Sequence, residues 1–209
     1  MIKKISFVLV FTICGSLAIS LFMSQKESEA ATDTINLTAN VIEALTLGLS
    51  SSSISFGDLI PGSPVKGSSG ININVQTSAT NGYTLALSDG VVSNGSALLH
   101  TDTTTRIADY SASIASPTAW NSGTDVGLGF TMYAAETNKE ISWGAGSAFD
   151  HPSNRYAGIP QNATLFHTSS GYKASADTSS ISFILDVPVS QKVGNYSGVI
   201  TVTAIPVLE

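Results

Sequence analysis

Cysteine is almost missing from this 209-residue sequence. The one that occurs, Cys14, lies inside an N-terminal apolar run, so the rest of the chain has no disulfide and no thiol chemistry. A chain of this length can be held by its own core without such staples. Charge is scarce as well: 11% of residues are charged, 9 of them basic against 15 acidic, for a net charge of −6. Three of the basic residues, Lys3, Lys4 and Lys26, precede residue 31. No basic cluster remains to hold a phosphate backbone or an anionic bilayer. That excludes nucleic acid as a partner, and a membrane as a partner of the domain beyond residue 30.

Catalytic and metal-binding signatures are also missing. The sequence has no G-x-S-x-G elbow and no H-E-x-x-H helix. Its three histidines, His100, His151 and His167, stand apart without ligand spacing. The stretch "FDHPSNRYAGIP" gathers Asp150, His151, Arg155 and Tyr156, and an Asp-His pair suggests acid–base chemistry, but His151-Pro152 reads as a turn. Asp89, Asp102, Asp109, Asp125 and Asp177 sit among Gly, Ser, Thr and Asn, the setting of some extracellular Ca²⁺ loops, yet none matches the D-x-[DN]-x-[DN]-G pattern. The expectation is no enzyme, no catalytic residue, no metal site and no cofactor. Four N-x-[ST] matches, at Asn36, Asn94, Asn162 and Asn195, carry no weight in a chain this rich in Asn, Ser and Thr.

What is present begins with an address. Lys3-Lys4 precedes an uncharged run, Ile5 to Met23, followed by a polar stretch ending Ser28-Glu29-Ala30. This layout predicts a signal peptide over 1–30, helical in its apolar run, cleaved between Ala30 and Ala31. An uncleaved anchor is the rival, since the run is just long enough to span a bilayer. A lipoprotein site at Cys14 lacks the small residue it needs before the cysteine, and lies mid-run.

The remainder, 31–209, reads as one β domain. Thr34 to Val41 alternates polar and apolar, as does Leu45–Leu49 after a phase change. Ile71, Ile73 and Val75 share one face, Asn81-Gly82 suits a turn, and Tyr83, Leu85 and Leu87 run back, which predicts a β-hairpin. Residues 91–172 read as a loop-rich middle portion holding one buried strand, Val126–Glu136. Ser180–Val187 alternates again, and Tyr196 to Ala204 is expected to pair with it as a central or near-central strand. With no helical period and no fixed repeat, the fold predicted is all-β: an immunoglobulin-like antiparallel β-sandwich with a loop-rich middle insertion behind the N-terminal signal helix.

The segments "ISFGDLIPG", "INVQTSATNGYTLALSD", "DVGLGF" and "SSISFILDVPVSQKVGNYSGVITVTA" resemble a loose group of secreted bacterial surface proteins. These carry F-G-x-L-x-P-G, an N-G-Y-T-L turn and a closing G-x-Y-x-G strand. More distantly the chain resembles fimbrial and fibre-forming subunits, which begin and end in strands. The resemblance implies a secreted or cell-surface structural protein, adhesive or fibre-forming.

Two kinds of partner follow. Thr34–Val41 can leave its own sheet and pair with the edge of a neighbouring copy by strand addition. Alternatively, Trp120, Trp143 and Tyr156 on the middle loops form an aromatic platform for surface glycans or proteins. The final stretch "GNYSGVITVTAIPVLE" carries no wall-sorting motif or hydrophobic tail, so any attachment to a cell is expected through an uncleaved N-terminus or through assembly with neighbours, the alternative being no attachment at all.

Overall fold

The computed structural model describes residues 37–90 and 97–208. The signal segment, the Ala30/Ala31 cleavage site and Thr34–Asn36 lie outside the described residues. The protein is an all-β sandwich with antiparallel sheets, built within Val41–Glu209. Leu37–Asn40, described ahead of it, form no strand.

The first half supplies β1 (Leu45–Leu49), β2 (Val65–Lys66), β3 (Ile71–Thr77), β4 (Tyr83–Asp89), β5 (Leu98–His100) and β6 (Arg106–Ile107). Then come β7 (Thr118–Ala119), β8 (Gly127–Ala135), a 3-10 turn at Ile141–Trp143, β9 (Arg155–Gly158) and β10 (Thr164–Ser169). The chain closes with β11 (Lys173–Asp186), β12 (Tyr196–Ser197) and β13 (Ile200–Pro206). The large sheet runs β1-β3-β11-β8-β9-β7, with β2 also on β11. The small sheet that faces it runs β10-β4-β13, and β12-β5-β6 form a third sheet.

The core is written in period two. Ile71, Ile73 and Val75 of β3, Leu128, Phe130 and Met132 of β8, and Ile181, Phe183 and Leu185 of β11 line the inner face of the large sheet. Tyr83, Leu85 and Leu87 of β4 and Phe166 of β10 meet them from the other side. Each such aliphatic or aromatic side chain contributes roughly 1.5–3 kcal/mol on full burial. The central strand β11 is buried on both faces over Ser179–Asp186. Ile184 points away from the main core, into a second cluster with Tyr110 and Tyr156.

Two sequence expectations are corrected here. The Ile71–Asp89 pair is not a hairpin. β3 belongs to the large sheet and β4 to the small one, and Asn81-Gly82 carries the chain across the sandwich. Two alternating strands joined by a turn bury their apolar faces equally well side by side or face to face. Gly82, at φ +88, lets the crossing pass close to Ser169, whose carbonyl oxygen would lie 2.0 Å from an added Cβ. The last strand, in turn, pairs with β4, Ile200 opposite Asp89 through Pro206 opposite Tyr83, and not with β11. It is an edge strand. The middle portion does more than decorate the sandwich, since β8 pairs with β11 along Gly127–Ala135 and β10 forms the other edge of the small sheet.

Candidate functional site

The two edges of the small sheet differ, and the difference starts with backbone parity. On β10 the register with β4 shifts between Leu165 and His167, a bulge that disrupts the ladder. Beyond the bulge, Thr168 and the Phe166 carbonyl face outward, and both are taken. The Thr168 N–H donates to Glu140 Oε1 at 3.1 Å, and Trp143 Nε1 donates to the Phe166 carbonyl at 3.2 Å. Glu140 also holds His167 Nδ1 at 3.1 Å. Burial pushes the Glu140 carboxyl up, but His167 and the backbone N–H groups outweigh it and hold it below the usual range. Lys139, whose ammonium donates to the Gly144 and Gly146 carbonyls, folds the Glu140–Trp143 turn onto this edge. Side chains therefore cap β10 from Phe166 to Thr168, which blunts this edge against a further strand.

Among the described residues the opposite edge, β13, pairs with no further strand. Gly90 N–H donates to the Val199 carbonyl and Val207 N–H to the Gly82 carbonyl, so the odd-numbered residues of β13 bond to β4. Ile200, Val202 and Ala204 then direct their N–H and C=O groups outward. Pro206, which has no N–H to give, sits at the same parity, where none is needed. Across the sandwich, Ser78 N–H donates to the Ala44 carbonyl and Ser50 N–H to the Asn72 carbonyl. By the same count Leu45, Leu47 and Leu49 of β1 show their backbone groups to the outside. Between these two edges lies an apolar cleft of about 250 Å³, lined by Leu49, Phe56, Ile71, Leu98, Ile200 and Val202, with Ser51–Ser53 at one side.

The aromatic residues singled out in the sequence do not form a platform. Trp143 is 1% exposed and packs on Phe130, ring centroids 5.1 Å apart. Tyr156 is 2% exposed, beneath Trp120 at 6.0 Å. Trp120 is half-buried, stacked 4.7 Å from Tyr110 over Ile184. Trp120 and Tyr156 thus share a satellite core on the outer face of the large sheet, while Trp143 belongs to the main core and to the β10 cap. Loops rich in Ser and Gly looked exposed in the sequence, but they fold back because these rings have apolar strands to cover.

The isolated histidines and aspartates also have local work. His151 Nδ1 accepts from Ser153 N–H, and His100 Nδ1 accepts from Asp102 N–H, both at 3.0 Å, which is turn chemistry. Tyr196 donates its hydroxyl to the Lys192 carbonyl at 2.8 Å. Among the described residues no three His, Cys, Asp or Glu side chains gather in a way that would hold a metal.

One buried polar network stands out. Asp177 of β11 accepts from Tyr83 at 3.0 Å, from Thr137 at 3.0 Å and from Ser169, and pairs with Lys173 at 3.5 Å. Burial raises the Asp177 carboxyl, yet these partners together hold it below its ordinary range. Burial and the Asp177 charge push Tyr83 up to about 12. None of these residues lines the cleft. The network ties the two sheets together at the crossing turn and is structural.

No family model, no curated protein and no solved structure matches the chain.

Proposed function

We propose that this protein is a secreted or cell-surface, non-catalytic structural or adhesive subunit that joins its partner by strand addition at β13. The observation that carries the reading is the asymmetry of the small sheet. One edge is bulged and capped by Glu140 and Trp143, while on the other the outward backbone of Ile200, Val202 and Ala204 meets no strand among the described residues and lies beside an apolar cleft. Sheet edges in stable monomers are blunted by charge, bulges or covering loops. An edge kept bare next to its neighbour's protected one suits a surface meant to be paired. The export layout of residues 1–30 agrees with an extracellular place of work.

Sedimentation velocity of the exported chain over a wide concentration range tests the reading. Reversible growth beyond the monomer, unchanged by Leu165→Lys on the capped edge, is the expected result. A sedimentation coefficient that stays monomeric at every concentration would contradict it for self-assembly. Failure of surface extracts to shift that coefficient as well would remove the proposal altogether.

A further inference from the structure

We infer that the apolar cleft is a binding site for one free, uncharged aliphatic amphiphile, a chain of about eight carbons whose hydroxyl or ester end lies at Ser51–Ser53. This goes beyond strand addition and does not rest on it. The ligand meets side chains turned inward, whereas an added strand would meet the outward backbone of β13.

The cleft is a gap in the core. Its floor is Ile71 of β3, Leu128 of β8, and Ile181 and Phe183 of β11, all buried. Half-buried Ile200 and Val202 of β13 line it as well. Protein interiors hold few voids larger than a water molecule. This one, about 250 Å³, is roughly eight times a water's share of liquid volume. Its smallest lining residues, Ala97 and Gly198, keep it from closing. A Cβ on Gly198 would lie 1.6 Å from the Ala97 carbonyl oxygen, so no side chain can reach in from that position.

Water is a poor occupant. A buried water needs two to four polar partners, whereas the floor is made of aliphatic and aromatic side chains. The backbone of the floor strands is paired within the large sheet, β11 with β3 on one side and with β8 on the other. Among the described residues lining the cleft none is titratable. No cation is there to hold an acid headgroup, and no carboxylate to hold an amine, so a charged end would be desolvated without compensation.

Polar groups gather at one side only. The Ser51 hydroxyl donates to the Ser53 carbonyl at 2.9 Å and accepts from the Ser53 N–H at 3.2 Å, which fixes the turn. Ser52 and Ser53 are exposed at the rim. An apolar body with one neutral polar end matches this division. A methylene takes up nearly the volume of a water, so about eight carbons fill the space. A lipid tail reaching through half of a roughly 30 Å bilayer core is longer than that, which favours a free molecule.

Isothermal titration of the exported chain with 1-hexanol, 1-heptanol, 1-octanol and 1-decanol tests the site. Each methylene up to eight carbons should tighten binding about fourfold, at one molecule per chain. With the space then full, 1-decanol should gain less than about twofold over 1-octanol. Octanoate at pH 8 should bind at least about tenfold more weakly than 1-octanol. Val202→Phe fills the cleft and should weaken 1-octanol about tenfold or more, with Tm unchanged or higher. Phosphatidylcholine vesicles should not carry the protein down on centrifugation. Absence of saturable alcohol binding would overturn the site, and with a lowered Tm for Val202→Phe it would assign the space to the chain's own side chains. Full 1-octanol affinity in folded Val202→Phe protein would place the binding elsewhere. Octanoate as tight as 1-octanol would overturn the uncharged class, and co-sedimentation with vesicles the free one.

Discussion

Replacing Trp143 by alanine removes the cap from β10 and a wall of the core in one step. The ring is 1% exposed, it packs on Phe130, and its Nε1 satisfies the Phe166 carbonyl. A buried tryptophan covers 150–250 Å² of surface, about 4–6 kcal/mol at roughly 25 cal/mol per Å². Partial collapse of the site brings the expected loss to about 3–5 kcal/mol. For a domain of this size that lowers Tm by about 10 °C. Trp143→Phe keeps most of the packing and loses the hydrogen bond, leaving an outward carbonyl without its partner, and should cost about 1–3 kcal/mol. Urea unfolding followed by far-UV circular dichroism measures both. A loss below about 1 kcal/mol for the alanine variant would refute the placement of the ring as core and edge cap. It would return Trp143 to the solvent-facing role that a glycan platform needs.

Other perturbations follow from the same contacts. Asp177→Asn discharges the network and should cost about 3 kcal/mol at pH 7, read by urea unfolding. With Tyr83 raised to about 12 and Asp177 held low, that stabilisation is full between pH ~4 and ~10. It fades as pH falls through the Asp177 range, and as pH rises from 10 toward 12. A flat pH profile above 10 would contradict the Tyr83 assignment. Asp109 is raised to about 7, chiefly by burial, with Asp89 adding to it against the Ala97 N–H. A carboxyl raised on folding stabilises below its unfolded value near 4 and loses that contribution as pH climbs through 7. Asp109→Asn should therefore be the more stable protein at pH 8, by about 1 kcal/mol given its partial exposure, and no better at pH 4. Gly198→Ala would place a Cβ 1.6 Å from the Ala97 carbonyl oxygen, so thermal melts should show a loss of about 3 kcal/mol or more.

How far the fold could be read in advance depended on what each signal encodes. Alternation at Ile71–Val75, Tyr83–Leu87 and Ile181–Leu185 reports which face is buried, and those faces are the ones buried here. It does not report which sheet a strand joins. That is why the Asn81-Gly82 turn read as a hairpin although it crosses between sheets. Tyr196–Ala204 was misplaced beside Ser180–Val187 for the same reason, because two apolar rows pair equally well on paper. The half-exposed pattern of β13, with Ile205 outward and Val202 only partly covered, belongs to an edge, and it becomes visible only with the partner strand known. The candidate site was largely illegible. The cap on β10 joins Glu140 and Trp143 to residues more than twenty positions away, and neither carries a motif. Trp120, Trp143 and Tyr156 were conspicuous by type, but an aromatic on a Gly-rich loop is equally suited to folding inward. Pro206 was the one sequence signal for an edge. Its meaning needed the β4 register, which places its missing N–H on the outside.

The central claim, that β13 is a pairing edge, is tested most directly by a proline scan of that strand. Val202 directs its N–H outward, so Val202→Pro removes a donor that only an added strand would use. Thr203 directs its N–H to β4, so Thr203→Pro breaks a ladder bond. Sedimentation velocity and thermal melts on both variants give the answer. The account predicts that Val202→Pro stays folded with its Tm little changed and no longer self-associates, while Thr203→Pro loses stability. Undiminished association of folded Val202→Pro protein would contradict it.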